Sequence, residues 1–482
     1  MTEMSKELFL TRYSKAINEG YAAVFSGAGF SKSVGYVDWR TLLKPFADEL
    51  SLDINQETNL ARLAQYYRNE MFGRSSINQA IVEQFSQDKV LNDNIKIVTR
   101  LPIYTYWTTN YDKLLERGLE LNERKADVKI ESKQLVTHKR DRDAVVYKMH
   151  GDVDFPDEAV LTKEDFEVYN EKRGLFTTVL QGDLISKTFL FVGFSFDDPN
   201  LDYILSRTRI LSKGKTGESF WLEKRVEEPD FSELITQESK NAAEEEYRVN
   251  KVRQNLKINE LKRYGISTVL IDDYTEITSL LKELERRNLK KNIFISGSIE
   301  KFNENWSKDK VEDFCFSLSN NLIKKGYKIH SGFGLGVGSS VINGALEEIY
   351  KAKYKKIDEH LSLRPFPQNI SDHQERQEKY RQYRNDILSD VGVSIFIFGD
   401  KEKLDEKNEN ISGMLEEFSI AKEKNNLIIP VGSTGEVSRQ ILNEIKTNIE
   451  DYPYLEKSIG ILENNLSAKR LIDEIIKIIE EN

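Results

Sequence analysis

The sequence has few cysteines, no long apolar segment and no excess of positive charge. Cys315 is its one cysteine, so an internal disulfide and a four-thiolate zinc site are both excluded. This usage is typical of a reducing cytoplasm, where we expect the protein to be located. The longest apolar run, residues 188–196, is too short to cross a bilayer and contains a glycine, so we expect no membrane association.

Acidic residues outnumber basic ones by 80 to 70, which gives a net charge of −10. This balance argues against general affinity for nucleic acid or for anionic membranes. It does not exclude phosphate-bearing ligands, because backbone N–H groups and helix N-termini bind phosphate without net positive charge. A chain of 482 residues, 39% of them hydrophobic, is too long for one ordinary core and predicts two or three domains.

Strands that alternate with helices predict an α/β fold built on open parallel sheets. A second series of alternating strands and helices begins near residues 286–292, so we place a first domain at 1–287 and a second at 288–482. Segment 236–263 is charged, has few large apolar residues and predicts a solvated helix; a subunit contact is the alternative. Apolar runs predict strands at 21–26, 103–108, 144–149, 189–194 and 265–272, and then at 293–296, 327–330, 393–398 and 427–431.

A glycine loop follows the first predicted strand, with the sequence Gly27-Ala28-Gly29-Phe30-Ser31. Glycines at its first and third positions allow a tight turn and let the backbone approach a pyrophosphate, as in dinucleotide-binding folds. A strand-to-helix turn that binds no ligand is the alternative.

Polar side chains follow the next two predicted strands. Asn110 and Asp112 come after the first of these, and His150 closes the second, directly before Gly151. Open α/β sheets bind ligands at the carboxyl ends of their strands, so we expect these side chains at a ligand site. The structural alternatives are a helix cap for Asn110 and Asp112 and a core position for His150.

These segments, together with Gly193-Phe194-Ser195-Phe196-Asp197-Asp198, resemble the NAD-binding domain of sirtuins in order and spacing. The resemblance extends over residues 10–285, and Asp38-Trp39 lies where that family keeps a flexible cofactor lid. The cysteine pairs of the sirtuin zinc module are absent, so we expect no metal and no hydrolysis of acyl-lysine peptides. The resemblance implies NAD binding by Gly27, Ala28, Gly29, Ser31, Asp112, Gly193 and Ser195, and catalysis by Asn110 and His150.

The sirtuin resemblance also implies a reaction, cleavage of the bond between nicotinamide and ribose. Asp112 would bind the carboxamide of nicotinamide, and Asn110 would position the attacking water. His150 would contact the ribose hydroxyls and act as the general base, since an imidazole titrates near neutral pH. NAD+ is then a substrate rather than a cofactor, and the products are ADP-ribose and nicotinamide.

Glycines also follow the first two strands of the second domain. Gly297-Ser298 ends one strand, and Gly332 and Gly334 begin a loop with glycines at alternate positions up to Gly338. Several N–H groups of such a loop can face a phosphate. A flexible turn is the alternative.

The second domain resembles the SLOG nucleotide-binding superfamily in Ser389-Asp390, in the strand at 393–398 and in Gly413-Met414-Leu415-Glu416-Glu417-Phe418. The resemblance implies a ligand-binding arginine at Arg384 and an acidic ribose-contacting residue at Glu416 or Glu417. The sequence does not decide between the two glutamates. The alternatives are a surface arginine and an exposed glutamate face.

The phosphoribohydrolases of this superfamily have a Pro-Gly-Gly-x-Gly-Thr motif that is missing here. Phe398-Gly399-Asp400 leads instead into a long charged insert. We therefore expect the second domain to sense a ligand rather than to catalyse a reaction.

A sirtuin-like domain followed by a SLOG domain resembles the effector family of Thoeris anti-phage defence. The resemblance implies that a cyclic ADP-ribose isomer, made by a partner TIR-domain protein, binds the SLOG domain and activates NAD+ hydrolysis. It also implies a homotetramer built through the sirtuin-like domains. A non-catalytic sensor of NAD or ADP-ribose, whose two nucleotide pockets control assembly, is the alternative function.

Overall fold

The computed structural model describes residues 4–196, 198–214, 217–232, 236–353, 355–367, 369–399 and 413–482. Two parts of the sequence interpretation lie outside the described residues, namely Asp197 and the charged insert at 400–412. The chain divides into two compact units, Met1–Glu285 and Arg286–Asn482. Each unit contains one sheet, and both sheets are parallel throughout, as predicted.

The sheet of the first unit has seven strands in the order β3-β4-β2-β1-β5-β6-β7. Its strands are β1 Ala22–Ser26, β2 Thr105–Thr108, β3 Ala126–Lys129, β4 Ala144–Lys148, β5 Thr188–Val192, β6 Ser219–Lys224 and β7 Ile266–Ile271. The chain runs from β1 to β2 on one side and later returns to place β5 on the other side of β1. The strand order therefore reverses between β1 and β5, and such a switch point opens a crevice at the carboxyl ends of the two strands.

Helices cover both faces of this sheet. Val24 of β1 packs into one core cluster, whereas Ala23 and Phe25 pack into another, as the two-residue period of a strand requires. The helices are α1 Lys6–Asn18, α2 Ala28–Lys32, α3 Trp39–Glu49, α4 Leu60–Glu70, α5 Ser75–Phe85, α6 Asp93–Arg100, α7 Leu114–Leu121, α8 Lys163–Glu167, α9 Tyr169–Ser186, α10 Pro199–Leu211, α11 Gln237–Lys262 and α12 Thr275–Leu289.

The second unit has a five-stranded sheet in the order β10-β9-β8-β11-β12, which reverses between β8 and β11. Its strands are β8 Asn292–Ser296, β9 Lys328–Ser331, β10 Leu361–Leu363, β11 Val393–Ile397 and β12 Leu427–Val431. Its helices are α13 Lys308–Lys324, α14 Gly338–Lys351, α15 Ile357–His360, α16 His373–Ser389, α17 Gly413–Glu423, α18 Glu436–Thr447, α19 Ile459–Asn464 and α20 Ala468–Glu481. The second sheet thus has the same kind of switch point as the first.

Four strands differ from the prediction. The strand predicted at 189–194 ends at Val192, because Gly193 adopts a φ of 60° and turns the chain out of the sheet. Strands β3, β6 and β10 were not predicted. Strand β3 has no apolar run, since Asp127 and Lys129 lie within it as a buried ion pair at 2.9 Å.

The charged segment at 236–263 forms α11, and its side chains are largely exposed in the single chain, as both the predicted solvated helix and the alternative subunit contact require. Leu261 is the one residue of this 26-residue helix that is buried. Within the described ranges, no helix combines the length and apolar character that crossing a bilayer requires.

The loops at the second switch point are packed too closely for a side chain at Gly334. A Cβ atom there would lie 1.9 Å from the carbonyl oxygen of Gly297. We expect Gly334→Ala to lower the free energy of unfolding of the second unit by about 1–3 kcal/mol. Gly460→Ala is the control, because a Cβ there meets nothing within 4 Å. Urea unfolding followed by the reaction of Cys315, the one cysteine of the chain and buried in the second unit, with a thiol reagent measures both. An unchanged midpoint for Gly334→Ala contradicts the close approach.

Candidate active site and candidate effector site

At the first switch point, the loops that follow β1 and β5 are in backbone contact. The Gly27 N–H donates to the Val192 carbonyl at 3.1 Å, and the Gly29 N–H donates to the Gly193 carbonyl at 2.9 Å. A Cβ on Gly193 would lie 2.1 Å from the nitrogen of Phe30. The glycines are therefore required by this contact between loops. Two N–H groups of the predicted phosphate loop are directed at the neighbouring loop.

Asn110, Ser31 and Asp112 form one hydrogen-bonded chain beside these loops. The Asn110 amide donates to the Gly27 carbonyl at 2.9 Å and to the Ser31 Oγ at 2.7 Å. The Ser31 hydroxyl donates to the Asp112 Oδ2 at 2.6 Å. The other carboxylate oxygen of Asp112 accepts the N–H of Leu114, the first residue of α7, at 3.0 Å, although the N-cap position of that helix is Lys113.

His150 lies at the end of β4 and is 1% exposed. Its ring lies against those of Trp39, Phe166 and Tyr169, at centroid distances of 5.8, 5.7 and 6.3 Å. The His150 Nε2 is 3.0 Å from the Asp198 Oδ2, but neither ring nitrogen has an aligned hydrogen-bond partner among the described residues. A buried imidazole of this kind can accept a hydrogen bond from a hydroxyl of a bound molecule.

Tyr111 connects the Asn110–Ser31–Asp112 chain to His150 through the main chain. The Tyr111 hydroxyl donates to the carbonyl of Val160 at 2.8 Å, and the Val160 N–H donates to the carbonyl of His150 at 2.8 Å.

Of the predicted NAD-binding residues, Gly193 is half-buried, whereas Ser195 is exposed. The predicted lid residue Trp39 begins α3 and packs on His150.

Asp198 is the functional candidate to which the sequence interpretation gave no role. It caps α10 by accepting the Leu201 N–H at 2.9 Å. Burial by itself would raise its pKa, but His150 and the N–H groups of Leu201 and Asn200 outweigh that effect and hold the pKa of Asp198 below its ordinary value. An ionised carboxylate therefore faces His150. The sequence signalled only the capping role of Asp198, because aspartate followed by proline is typical of a helix start.

The predicted effector residues meet at the second switch point. The Gly399 N–H donates to the Ser298 carbonyl at 2.9 Å, which joins the loops after β8 and β11. A Cβ on Gly297 would lie 2.5 Å from the Ile397 carbonyl, and one on Gly332 would lie 2.9 Å from the ring of Phe366. The loops after β8, β9 and β11 therefore form one packed edge.

Arg384 reaches this edge from α16. Its Nη1 donates to the Glu416 Oε2 at 2.5 Å, and its Nε lies 3.5 Å from the Glu417 Oε1. The Arg384 side chain is 12% exposed, so the alternative of a surface arginine is wrong. Its guanidinium lies 5.2 Å from the ring centroid of Phe366.

Glu416 and Glu417 differ in their surroundings. Glu417 is buried and accepts the hydroxyl of Ser296 at 2.5 Å, which links α17 to β8, whereas Glu416 is half-buried. Burial raises the pKa of Glu417, although Arg384 and Ser296 oppose the shift. Both glutamates contact Arg384, and both remain candidates for the residue that contacts the ribose of the ligand.

Two family models match the chain in the order of its two sheets. Residues 104–251 match the SIR2-like domain, and residues 276–482 match the Sir2- and TIR-associating SLOG family. The NAD(+) hydrolase ThsA of Bacillus cereus (strain MSX-D12) is 46% identical over 484 residues, which cover 98% of each chain. The chain belongs to the NAD(+) hydrolase ThsA family.

Two further ThsA proteins have comparable similarity. The NAD(+) hydrolase ThsA of Cytobacillus dafuensis is 42% identical over 480 residues, with 98% of this chain and 96% of that one covered. The NAD(+) hydrolase ThsA of Acinetobacter baumannii (strain 532279) is 39% identical over 486 residues, with 100% and 98% covered. Membership of the ThsA family confirms the predicted succession of a sirtuin-like and a SLOG domain.

The contact between Asp198 and His150 in this ThsA-family chain makes stability depend on pH. The depressed pKa of Asp198 means that its ionised form stabilises the fold above about pH 4, and this contribution is lost as the pH falls through the folded-state pKa. Asp198→Asn keeps a helix cap but removes the charge. We expect a lower melting temperature than wild type at pH 7 and a difference that shrinks below about pH 4.

Thermal unfolding from pH 7 to pH 3 measures this difference. Asp202→Asn, on the exposed side of the same helix, controls for the loss of a carboxylate. A difference between Asp198→Asn and wild type that stays constant over the whole range contradicts the contact.

Proposed function

We propose that the first unit hydrolyses NAD+ to ADP-ribose and nicotinamide. The observation that carries the proposal is the chain of hydrogen bonds from Asn110 through Ser31 to Asp112 at the β1–β5 switch point. Together with the neighbouring His150, it offers an amide, a carboxylate and an imidazole to one ligand. Its occurrence in a chain of the NAD(+) hydrolase ThsA family supports this substrate.

Each side chain has one role in the proposed reaction. Asp112, oriented by Ser31, binds the carboxamide of nicotinamide, which leaves as the bond from its ring nitrogen to the ribose carbon breaks. Asn110 positions a water molecule at that carbon. His150 accepts the proton of this water, and the adjacent Asp198 carboxylate stabilises the imidazolium that forms. The sum is NAD+ and water converted to ADP-ribose, nicotinamide and one proton.

The burial of the site supports regulated access. The carboxylate of Asp112 and the ring of His150 are both nearly inaccessible to solvent, and Trp39 packs on the latter. NAD+ therefore reaches these groups after the segment around Trp39 moves, as in a lid that closes over a substrate.

We propose that the second unit binds a cyclic ADP-ribose isomer made by a partner TIR-domain protein and that binding activates hydrolysis. The match to a family described as Sir2- and TIR-associating supports this partner. A largely buried arginine can pair with a phosphate through two parallel hydrogen bonds, and Arg384 would exchange Glu416 for that phosphate. The released Glu416, or Glu417, would then accept a ribose hydroxyl.

The remaining parts of the proposed function concern assembly and biological role. The chain would act in the cytoplasm as a homotetramer built through its sirtuin-like units and would deplete NAD+ during anti-phage defence. Helix α11 supports a subunit contact, because Val249, Val252 and Leu256 form an exposed apolar stripe along it.

Substitutions at the active site test the reaction. We expect Asn110→Ala and His150→Ala each to lower kcat for nicotinamide release by about 10²–10⁴-fold, since each removes a group that acts on the water. His138→Ala, an exposed histidine of the same unit, is the matched control and should keep wild-type turnover. Full effector-activated turnover in both site variants contradicts the assignment, and NAD+ binding without any turnover in wild type favours the non-catalytic sensor.

A substitution in the second unit tests the effector site. We expect Arg384→Ala to lose calorimetric binding of the activating cyclic ADP-ribose isomer, because the phosphate loses its cation. Arg376→Ala, eight residues earlier on the same helix and exposed, should bind and respond as wild type does. Unchanged affinity in Arg384→Ala removes this residue from the site.

A further inference from the structure

Lys148 is fully buried, although it carries a charge. It is the last residue of β4, two positions before His150. Its ammonium donates to the carbonyls of Tyr111 at 3.1 Å and Asp112 at 2.6 Å and to the carboxylate of Asp152. These three hydrogen bonds use every donor that a lysine has. The side chain therefore joins the segment that carries Asp112 to the strand end that carries His150.

The surroundings keep Lys148 charged. Burial by itself would lower its pKa, but the carboxylates of Glu116, Asp152 and Asp112 outweigh burial and hold the pKa above its ordinary value. The Glu116 Oε1 lies 3.3 Å from the ammonium. Buried ion clusters are weak contributors to stability, because an apolar set of the same shape is often as stable or more stable. Packing alone thus gives no reason for a lysine at this position.

The atoms that Lys148 holds belong to the proposed active site. The carboxylate of Asp112 is fixed by Ser31 and by the Leu114 N–H, but its carbonyl is fixed by Lys148. The carbonyl of Tyr111 also accepts the N–H of Val153 at 3.0 Å. The main chains that carry Asp112 and His150 are therefore joined by this lysine as well as by the Val153 N–H.

We propose that Lys148 is a positioning residue for NAD+ hydrolysis. Its ammonium holds residues 110–112 in register with the end of β4, so that the carboxamide-binding Asp112 and the base His150 meet the same NAD+ molecule. The proposal rests on the proposed function of the first unit. Lys148 does not touch the reacting atoms and acts through the two segments that it joins.

The same sheet contains a matched control. Lys129 of β3 is also buried, lies 2.9 Å from Asp127 and donates to the carbonyl of Thr137. Its ion pair is completed by Arg142. Lys129 bonds to Asp127 and Thr137, which both lie outside residues 110–112. Lys129→Met thus removes a buried ammonium from the first unit without touching the proposed site.

The experiment compares Lys148→Met, the triple variant Lys148→Met/Glu116→Gln/Asp152→Asn and Lys129→Met in the full-length protein. The triple variant removes the carboxylates of Glu116 and Asp152 together with the ammonium, and Asp112 keeps its hydrogen bonds from Ser31 and the Leu114 N–H, so we expect it to fold. Nicotinamide release with effector gives kcat and KM, and amide hydrogen exchange of residues 109–113 reports the order of the segment. We expect kcat of the triple variant to fall by about 100-fold, the effect of misplacing a reacting group by about 1 Å. Its KM should change little, and exchange at 109–113 should become faster.

The outcomes separate this proposal from the proposed function. A merely structural lysine would lower the melting temperature of Lys148→Met and Lys129→Met alike and leave the triple variant with wild-type kcat and exchange, which overturns the proposal. Failure of both Lys148 variants to fold also overturns it, because the cluster is then a requirement of the fold. If wild type releases no nicotinamide, the proposed function fails, and exchange at 109–113 alone decides whether Lys148 orders the segment.

Discussion

The approach of the two loops at the β1–β5 switch point is the constraint on which the first unit depends. Gly27 and Gly29 bond to the loop that follows β5, and Gly193 leaves no room for a Cβ between the two. The same contact presents the Gly27 carbonyl to the amide of Asn110. Because the loops are fixed by backbone atoms, the polar side chains around them have a rigid base, which preorganised chemistry needs.

The second unit repeats this arrangement with a different set of side chains. Gly334 approaches the carbonyl of Gly297, as Gly193 approaches the glycine loop in the first unit. The first switch point gathers an amide, carboxylates and an imidazole, whereas the second gathers Arg384 and two glutamates. An arginine beside carboxylates can exchange its partner for a phosphate, which suits a binding site whose occupancy changes.

Two largely buried charged groups lie where the proposed chemistry lies. Lys148 and Asp198 are each held in surroundings that favour the ionised form. Compared with apolar groups of the same shape, such groups add little to stability, but they fix the positions of their partners, because a charge in a low-dielectric interior tolerates few geometries. The pH response of the fold and the geometry of the proposed reaction therefore depend on the same few residues.

Local patterns in the sequence were sufficient to predict two parallel sheets, most of their strands, and the glycines and polar residues that follow those strands. Apolar runs and turn glycines are properties of neighbouring residues, which the sequence displays directly. The tertiary structure alone decided that Asp198 faces His150, that Lys148 joins the two polar segments, and that Arg384 is buried between two glutamates. Each of these contacts joins residues from different elements, and the pairing of separate elements follows from the order of strands in the sheet. The edge strand β3 was missed for the same reason, because its buried ion pair, rather than an apolar run, fits it to the sheet.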